Sequence, residues 1–411
     1  MTTTTSAVTV GAEARAVVAG VDTHANTHHV AVCSLTGTRL GDIEIPASPD
    51  GYRALVDFVA TFGVVQMMGV EGTSSYGAGL ARFLTMEAIE FREVIRPRRA
   101  QRRQGKSDPL DAYVAAEQVL ADPDGLPIAK SGDGIVEQIR VLLTVRRSAI
   151  KARVAAIRQI KSLLITAPEP LKQRWAHLPD RELLASLAAT RPRAATDSVE
   201  AATARTLRRL ARRHHYLGME ITELDDDLRA LVDTAAPAMI ATKGYGVITT
   251  ATLLVTAGAN PQRLRSEASF AALCGTSPIP ASSGRTRRYR LNRGGDRQAN
   301  WALHQIALVR LSNDPRTRDY AERLRTTGKS KKDILRCLKR AIAREAFHLI
   351  AHPQPVPDTT DLRALRHQRG ATLVHAAMNI GAEPARLSEL ERGKRPDTLL
   401  AARYRRWLTA G

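Results

Sequence analysis

The sequence predicts a mixed α/β domain at the N-terminus followed by all-α segments. Three observations lead there. Residues 16–95 alternate short apolar runs with helix-length stretches in a βββαβα order, which suits a mixed sheet with helices packed on it. Two later stretches carry apolar residues at heptad spacing over many turns. A proline-rich linker then leads into a short helical tail.

Bulk composition narrows the partners. At 411 residues the chain is long enough for two or three cores, and 44% hydrophobic content is ordinary for a globular protein. The charge is not ordinary: 61 Lys+Arg against 41 Asp+Glu leave a net +20. Such an excess implies a polyanionic partner, nucleic acid first of all. No apolar run approaches the ~18 residues of a membrane span, so no membrane partner is expected. Residues 1–14 lack the basic start and apolar core of a signal peptide and read as a short disordered lead. Cys33, Cys274 and Cys337 are widely spaced and form neither a disulfide framework nor a zinc pattern. They read as small buried residues in a reducing cytoplasm.

Taken in order, residues 16–22, 29–35 and 39–45 read as strands, with Leu35 to Thr38 as the last turn. Gly51–Phe62 reads as a helix, 64–70 as a buried strand, 78–86 as a helix and 91–95 as a strand. Asp22 and Glu71 end two of these apolar strands. The following stretch from Arg92 to Lys106 holds seven basic residues, including Arg98, Arg99, Arg102, Arg103 and Lys106, and suits a nucleic-acid backbone. Ser107 or Asp108 then caps a helix through Leu120, with Pro109 in its first turn. Asp108 and Asp111, three apart, share one face of it. Four carboxylates at two strand ends and one helix face suit Mg²⁺ or Mn²⁺, the ions of phosphoryl transfer. Acids in a first helical turn also suit the helix dipole with no metal at all.

The stretches VAGVDTHANTHHVAV, GVEGTSSYG and GKSDPLDA resemble the RuvC-type DEDD domain of insertion-sequence transposases of the 110 family. The resemblance runs over residues 16–350 in matching order. It implies a RuvC-like (RNase H-like) domain over 15–130 whose acidic tetrad is Asp22, Glu71, Asp108 and Asp111. It also implies a serine nucleophile in a second domain, a structured bridge-type guide RNA that selects DNA, and a homodimer or homotetramer. A bacterial, nucleoid-associated location in the cytoplasm goes with it. His24, His28 and His29 crowd the first acid and read as strand-end polar residues.

Residues 131–235 read as a helical, coiled-coil segment. Leu143, Ile150, Ile157 and Leu164 repeat every seven residues between basic positions, and Pro168, Pro170 and Pro179 break the run. A second seam uses Leu207, Leu210, His214, Leu217, Ile221, Leu224, Leu228 and Leu231. His214 suits either a pH sensor or a register-setting polar residue. Residues 236–351 follow as a helical domain that opens with a helix, a Gly244-Tyr245-Gly246 hairpin and a second helix. This is similar to a helix–hairpin–helix, whose glycines let backbone N–H groups approach a phosphate.

Ser282 and Ser283 sit in a loop marked by Pro-x-Pro and Ser-Ser-Gly. Arg285, Arg287, Arg288, Arg290, Arg293 and Arg297 crowd beside them against one acid, Asp296. A hydroxyl ringed by guanidinium groups suits attack on a phosphodiester, and a basic loop that only holds a backbone is the alternative. Counted back from Gly294-Gly295, the family register puts the nucleophile at Ser283, with Ser282 as the fallback. Helices over 299–310 and 332–350 close this domain.

Residues 352–360 are a proline-rich linker, and 361–411 resemble a helix-turn-helix domain of the bacterial repressor type. Thr372–Asn379 is its first helix, Gly381 the turn and Pro384–Glu391 the recognition helix, which offers Arg386, Ser388 and Glu389 to DNA. The whole predicts a DNA transposase that cleaves and rejoins DNA through a serine-linked phosphodiester. Two other readings fit the same residues: a metal-dependent junction nuclease that uses water, and a non-catalytic DNA-binding regulator.

Overall fold

The protein, seen in a computed structural model, is described here over residues 15–94, 107–191, 198–281, 289–353, 356, 358–393 and 397–410. The predicted lead over 1–14 lies outside them. The chain divides into two units, one reaching to Gly132 and adding Gly258–Arg263, the other holding the remainder.

The first unit is a five-stranded mixed sheet. Its strands are β1 (Ala16–Thr23), β2 (Thr27–Ser34), β3 (Arg39–Pro46), β4 (Val64–Glu71) and β5 (Phe91–Val94), in the order β3-β2-β1-β4-β5. β1, β2 and β3 form an antiparallel meander, while β4 and β5 run parallel to β1. Helices α1 (Pro49–Ala60) and α2 (Ala78–Met86) supply the crossovers that parallel strands need. This architecture is consistent with a RuvC-like domain.

β1 is apolar on both faces because both are covered. Val17, Ala19 and Val21 join one core with Leu55, Val59, Leu80 and Leu84 of α1 and α2. Val18 faces the other way, with Ala112, Tyr113, Ala116 and Val119 of α3 (Asp108–Ala121). Two glycines set the distance of α3 from the sheet. A Cβ on Gly20 would fall 2.1 Å from Ala112 O and 2.3 Å from Ala116 N, and one on Gly69 2.6 Å from Ala115 O. Only a bare backbone lets the helix lie this close.

The second unit is helical. α4 (Gly134–Ile165) and α7 (Val199–Ala235) pair along their length. They run antiparallel: Arg146 meets Asp225, Arg153 meets His214, and Ile160 and Leu164 share a core with Leu207 and Ala211. The buried seam of α4 is Ile139, Leu143, Ala149, Ala156, Ile160 and Leu164. Ile150 and Ile157 are half-buried, because small alanines occupy the closest approach. Two helices fill the proline-broken stretch, α5 (Glu169–Trp175) and α6 (Asp180–Ala189); Pro170 lies in the first turn of α5, where proline starts a helix rather than ending one.

At the other end, Ile139, Leu143, Leu228 and Val232 merge into one core with five further helices. These are α9 (Val247–Ala257), α10 (Glu267–Leu273), α11 (Arg297–Asn313), α12 (Pro315–Thr326) and α13 (Lys331–Ala351), with the short α8 (Pro237–Ala241) ahead of them. The tail packs α14 (Leu362–Gln368), α15 (Leu373–Ile380), α16 (Pro384–Glu391) and α17 (Thr398–Thr409) around its own core of Leu362, Ile380, Leu387, Leu390 and Tyr404. Gly381, at φ 58°, makes the turn between α15 and α16. Cys33 and Cys274 are buried, whereas Cys337 is half-buried on α13.

Candidate functional site

Strand register brings the first two acids together. Val21 pairs with Val70 in the parallel β1–β4 ladder, so Asp22 and Glu71 follow side by side at the carboxyl ends of both strands. Thr23 Oγ1 donates to Glu71 O at 2.9 Å and ties those ends together. Side chains alternate along a strand, so Asp22 falls on the face of Val18 and Gly20, the face that α3 covers. α3 begins at Asp108, with Ser107 at the cap position in extended backbone but with no capping hydrogen bond from its hydroxyl. Its first turn, carrying Asp108 and Asp111, is thereby set against the strand ends.

Asp22 is fully buried, and Asp108 and Asp111 are half-buried. Ligand atoms of Asp22, His24 and Asp108 all lie within 4.8 Å of one another, the one such group among the described residues. Glu71 and Asp111 are not members of this group. Two carboxylates and an imidazole form a donor set that suits a divalent cation.

The three histidines part company. His28 is buried on the opposite face of the sheet, stacked on the Tyr52 ring at 5.8 Å, and burial lowers its pKa. His29 Nε2 lies 2.7 Å from Asp42 Oδ2, whose other oxygen accepts from Tyr113 OH at 3.1 Å. His24 alone turns toward the acids, with Nδ1 3.9 Å from Asp22 Oδ2. Its position was hidden in the sequence, because the tight turn after β1 decides which way it points.

In the helical unit, Ser282, Ser283, Arg285, Arg287 and Arg288 lie outside the described residues, as do Arg98, Arg99, Arg102, Arg103 and Lys106. The frame of the serine loop is described. Ile279 pairs with Arg290 and Pro280 with Tyr289, closing a two-stranded stem of β6 (Ile279–Pro280) and β7 (Tyr289–Arg290). Arg290, Arg293 and Arg297 are exposed beside it.

Below the stem a polar network joins the two limbs of the loop. Asn300 Nδ2 donates to Cys274 O at 3.0 Å and Gly275 O at 3.1 Å, while Lys339 Nζ donates to Asn300 Oδ1 at 2.9 Å. Asp296 caps α11 through Gln298 N and Ala299 N and accepts from Thr256 Oγ1 at 2.8 Å. The lone acid of the arginine cluster is thus a helix cap. Burial, with Asp296 adding to it, pushes the Cys274 thiol up to about 12, so this cysteine stays protonated and inert. Burial holds the Lys339 ammonium below its usual range.

The Gly-Tyr-Gly turn is held from beneath. Arg310 Nε donates to Lys243 O at 2.7 Å, and its terminal nitrogens bind Glu345 at 2.8 and 2.7 Å. Gly244 sits at φ +94°, and a Cβ there would fall 2.8 Å from Arg310 Cγ. Gly246 N donates to Thr249 Oγ1 at 3.0 Å at the start of α9. In the tail, Arg386 reaches Asp397 at 3.4 Å and Glu389 at 3.6 Å, and Arg386 and Ser388 are both half-buried.

An acidic group at the carboxyl ends of a five-stranded mixed sheet is consistent with a RuvC-like transposase domain. Residues 19–167 match the family model of the DEDD transposases of IS110, and residues 238–322 match the model described as Transposase IS116/IS110/IS902 family. The chain belongs to the IS110 family of transposases. It is 25% identical over 299 residues to the 42 kDa protein of insertion element IS900 from Mycobacterium paratuberculosis, a match spanning 61% of this chain and 74% of that one. It is 32% identical over 120 residues to the 43.6 kDa protein of insertion element IS110 from Streptomyces coelicolor, across 28% of this chain and 29% of that one. No helix among the described residues is long and apolar enough to cross a membrane.

Proposed function

We propose that the protein cleaves and rejoins DNA as a transposase with a composite site. The observation that carries this reading is the meeting of Asp22 and Asp108 ligand atoms within 4.8 Å, at the strand end that adjoins the end of β4. Asp22, Glu71, Asp108 and Asp111 would hold Mg²⁺ or Mn²⁺. The bound ion supplies charge neutralisation at the scissile phosphate.

Ser283, or Ser282 in the fallback register, supplies the nucleophile. Its Oγ bonds to phosphorus as the P–O bond to the departing strand breaks; the serine proton is lost and the released DNA hydroxyl gains one. The phosphoserine diester keeps the bond energy for rejoining, when a DNA hydroxyl displaces the serine. Arg290, Arg293 and Arg297, with Arg285, Arg287 and Arg288, stabilise charge on the phosphate oxygens. A structured RNA selects the DNA, subunits of a homodimer or homotetramer complete the site, and α15–α16 acts as a helix-turn-helix on DNA.

The test is mass spectrometry of the protein trapped on nicked DNA. A nucleotide adduct on Ser283 is expected, and it disappears in Ser283→Ala and in Asp22→Ala. Cleavage that persists in Ser283→Ala without an adduct on Ser282 would replace this reading with a nuclease that uses water.

A further inference from the structure

We propose that His24 is a protein ligand of the catalytic cation and biases the site toward Mn²⁺ over Mg²⁺. The inference rests on the transposase reading of the acids and goes beyond it in adding a nitrogen donor. Three observations support it. His24 shares one 4.8 Å group with Asp22 and Asp108, a group that neither His28 nor His29 enters. Its Nδ1 stands 3.9 Å from Asp22 Oδ2. That is too long for a hydrogen bond, yet metal–ligand bonds of about 2.1 Å on each side span it.

The main chain of His24 is also fixed. Its N–H donates to Thr27 O at 3.0 Å within the tight turn that joins β1 to β2. The side chain therefore leaves a rigid corner two residues past Asp22, and its imidazole is 36% exposed on the open side of the site. His28 and His29 are engaged by Tyr52 and Asp42, so neither competes for the role.

The chemical consequence is selectivity. Carboxylates alone suit Mg²⁺ and Mn²⁺ alike, whereas a nitrogen donor favours ions further along the divalent transition series. His24→Ala should weaken Mn²⁺ binding by about tenfold, the scale of a lost supporting contact at a metal site, and Mg²⁺ binding by less.

The experiment is pulsed electron paramagnetic resonance of Mn²⁺ bound to the full-length protein. A ¹⁴N imidazole coupling is expected; it changes to the ¹⁵N pattern when histidine is ¹⁵N-labelled and vanishes in His24→Ala. The labelled wild type needs no substitution, so a folding defect in the variant cannot hide the answer. Bound Mn²⁺ with no nitrogen coupling, or a coupling that survives His24→Ala, overturns the proposal and leaves the carboxylate site standing. No Mn²⁺ bound by the wild type overturns this proposal together with the metal reading beneath it.

Discussion

Arg310 shows how much one side chain organises. It binds Glu345 through two hydrogen bonds, holds Lys243 O and lies over the Tyr245 ring at 5.3 Å. Its neighbour Gly244 is a glycine because the arginine stem occupies the Cβ position. Removing one partner of a largely buried pair strands the other, which costs about 3 kcal/mol when fully buried and less where Glu345 meets solvent. Arg310→Ala should therefore lower the denaturation midpoint by the equivalent of about 2 kcal/mol. Arg310→Lys should recover only part of it, since an ammonium lacks the planar fork. Denaturant titration of the three proteins checks this. Asn300 ties the Cys274 and Gly275 carbonyls to α11; on the serine-nucleophile proposal, Asn300→Ala should reduce kcat for strand cleavage more than it weakens DNA binding.

Between elements, close approach decides what the site holds. α3 reaches the strand ends because Gly20 and Gly69 offer no side chain against it. Gly20→Ala puts a methyl 2.1 Å from Ala112 O, so the helix must lift. The expected cost is about 1–3 kcal/mol of stability, as for other overpacked cores. Weaker Mn²⁺ binding should accompany it as Asp108 moves off Asp22; calorimetry of both processes tests the pairing.

The α4–α7 pair carries a pH signature. Arg153 Nε donates to His214 Nε2 at 3.2 Å, which requires the neutral imidazole. Burial first, then Arg153 and His215, lowers the His214 pKa, against a smaller raising effect of Asp180. The unfolded chain thus takes up this proton at a higher pH than the folded one. The stability it contributes is whole above about pH 6.5 and falls as pH drops through that value. Melting of the wild type should show this decline and His214→Gln should flatten it.

Across the whole molecule, the net charge of +20 predicts strong salt dependence. DNA affinity should fall about a thousandfold or more between 50 and 200 mM salt, readable by fluorescence anisotropy. The sheet was largely legible in the sequence, since runs such as AVVAGVD carry their burial in their composition. Asp22 and Glu71 were legible as strand-end acids for the same reason. The direction of His24 was not, because it depends on a turn that a hydrogen bond from His24 N to Thr27 O closes. The Asn300–Lys339 and Thr256–Asp296 contacts were hidden because each joins residues about 40 positions apart, beyond any local pattern. The prolines were read correctly as the end of the long run, since α4 stops at Ile165, but the short α5 and α6 that start just after Pro168 and Pro179 were not foreseen.

The short return at Gly258–Arg263 has its own consequence. Asn260 Nδ2 donates to Ala129 O at 2.8 Å and its Oδ1 accepts from Ser131 N at 3.2 Å, while Arg263 Nε donates to Ile128 O at 2.9 Å. The sheet unit is therefore finished by amino acids made 126 positions after its last contiguous residue, Gly132. A ribosome that has released only the first third of the chain has not yet delivered the piece that closes it. A gene fragment stopping there should yield a product with a frayed end, and a single protease nick after Gly132 should not set the unit adrift.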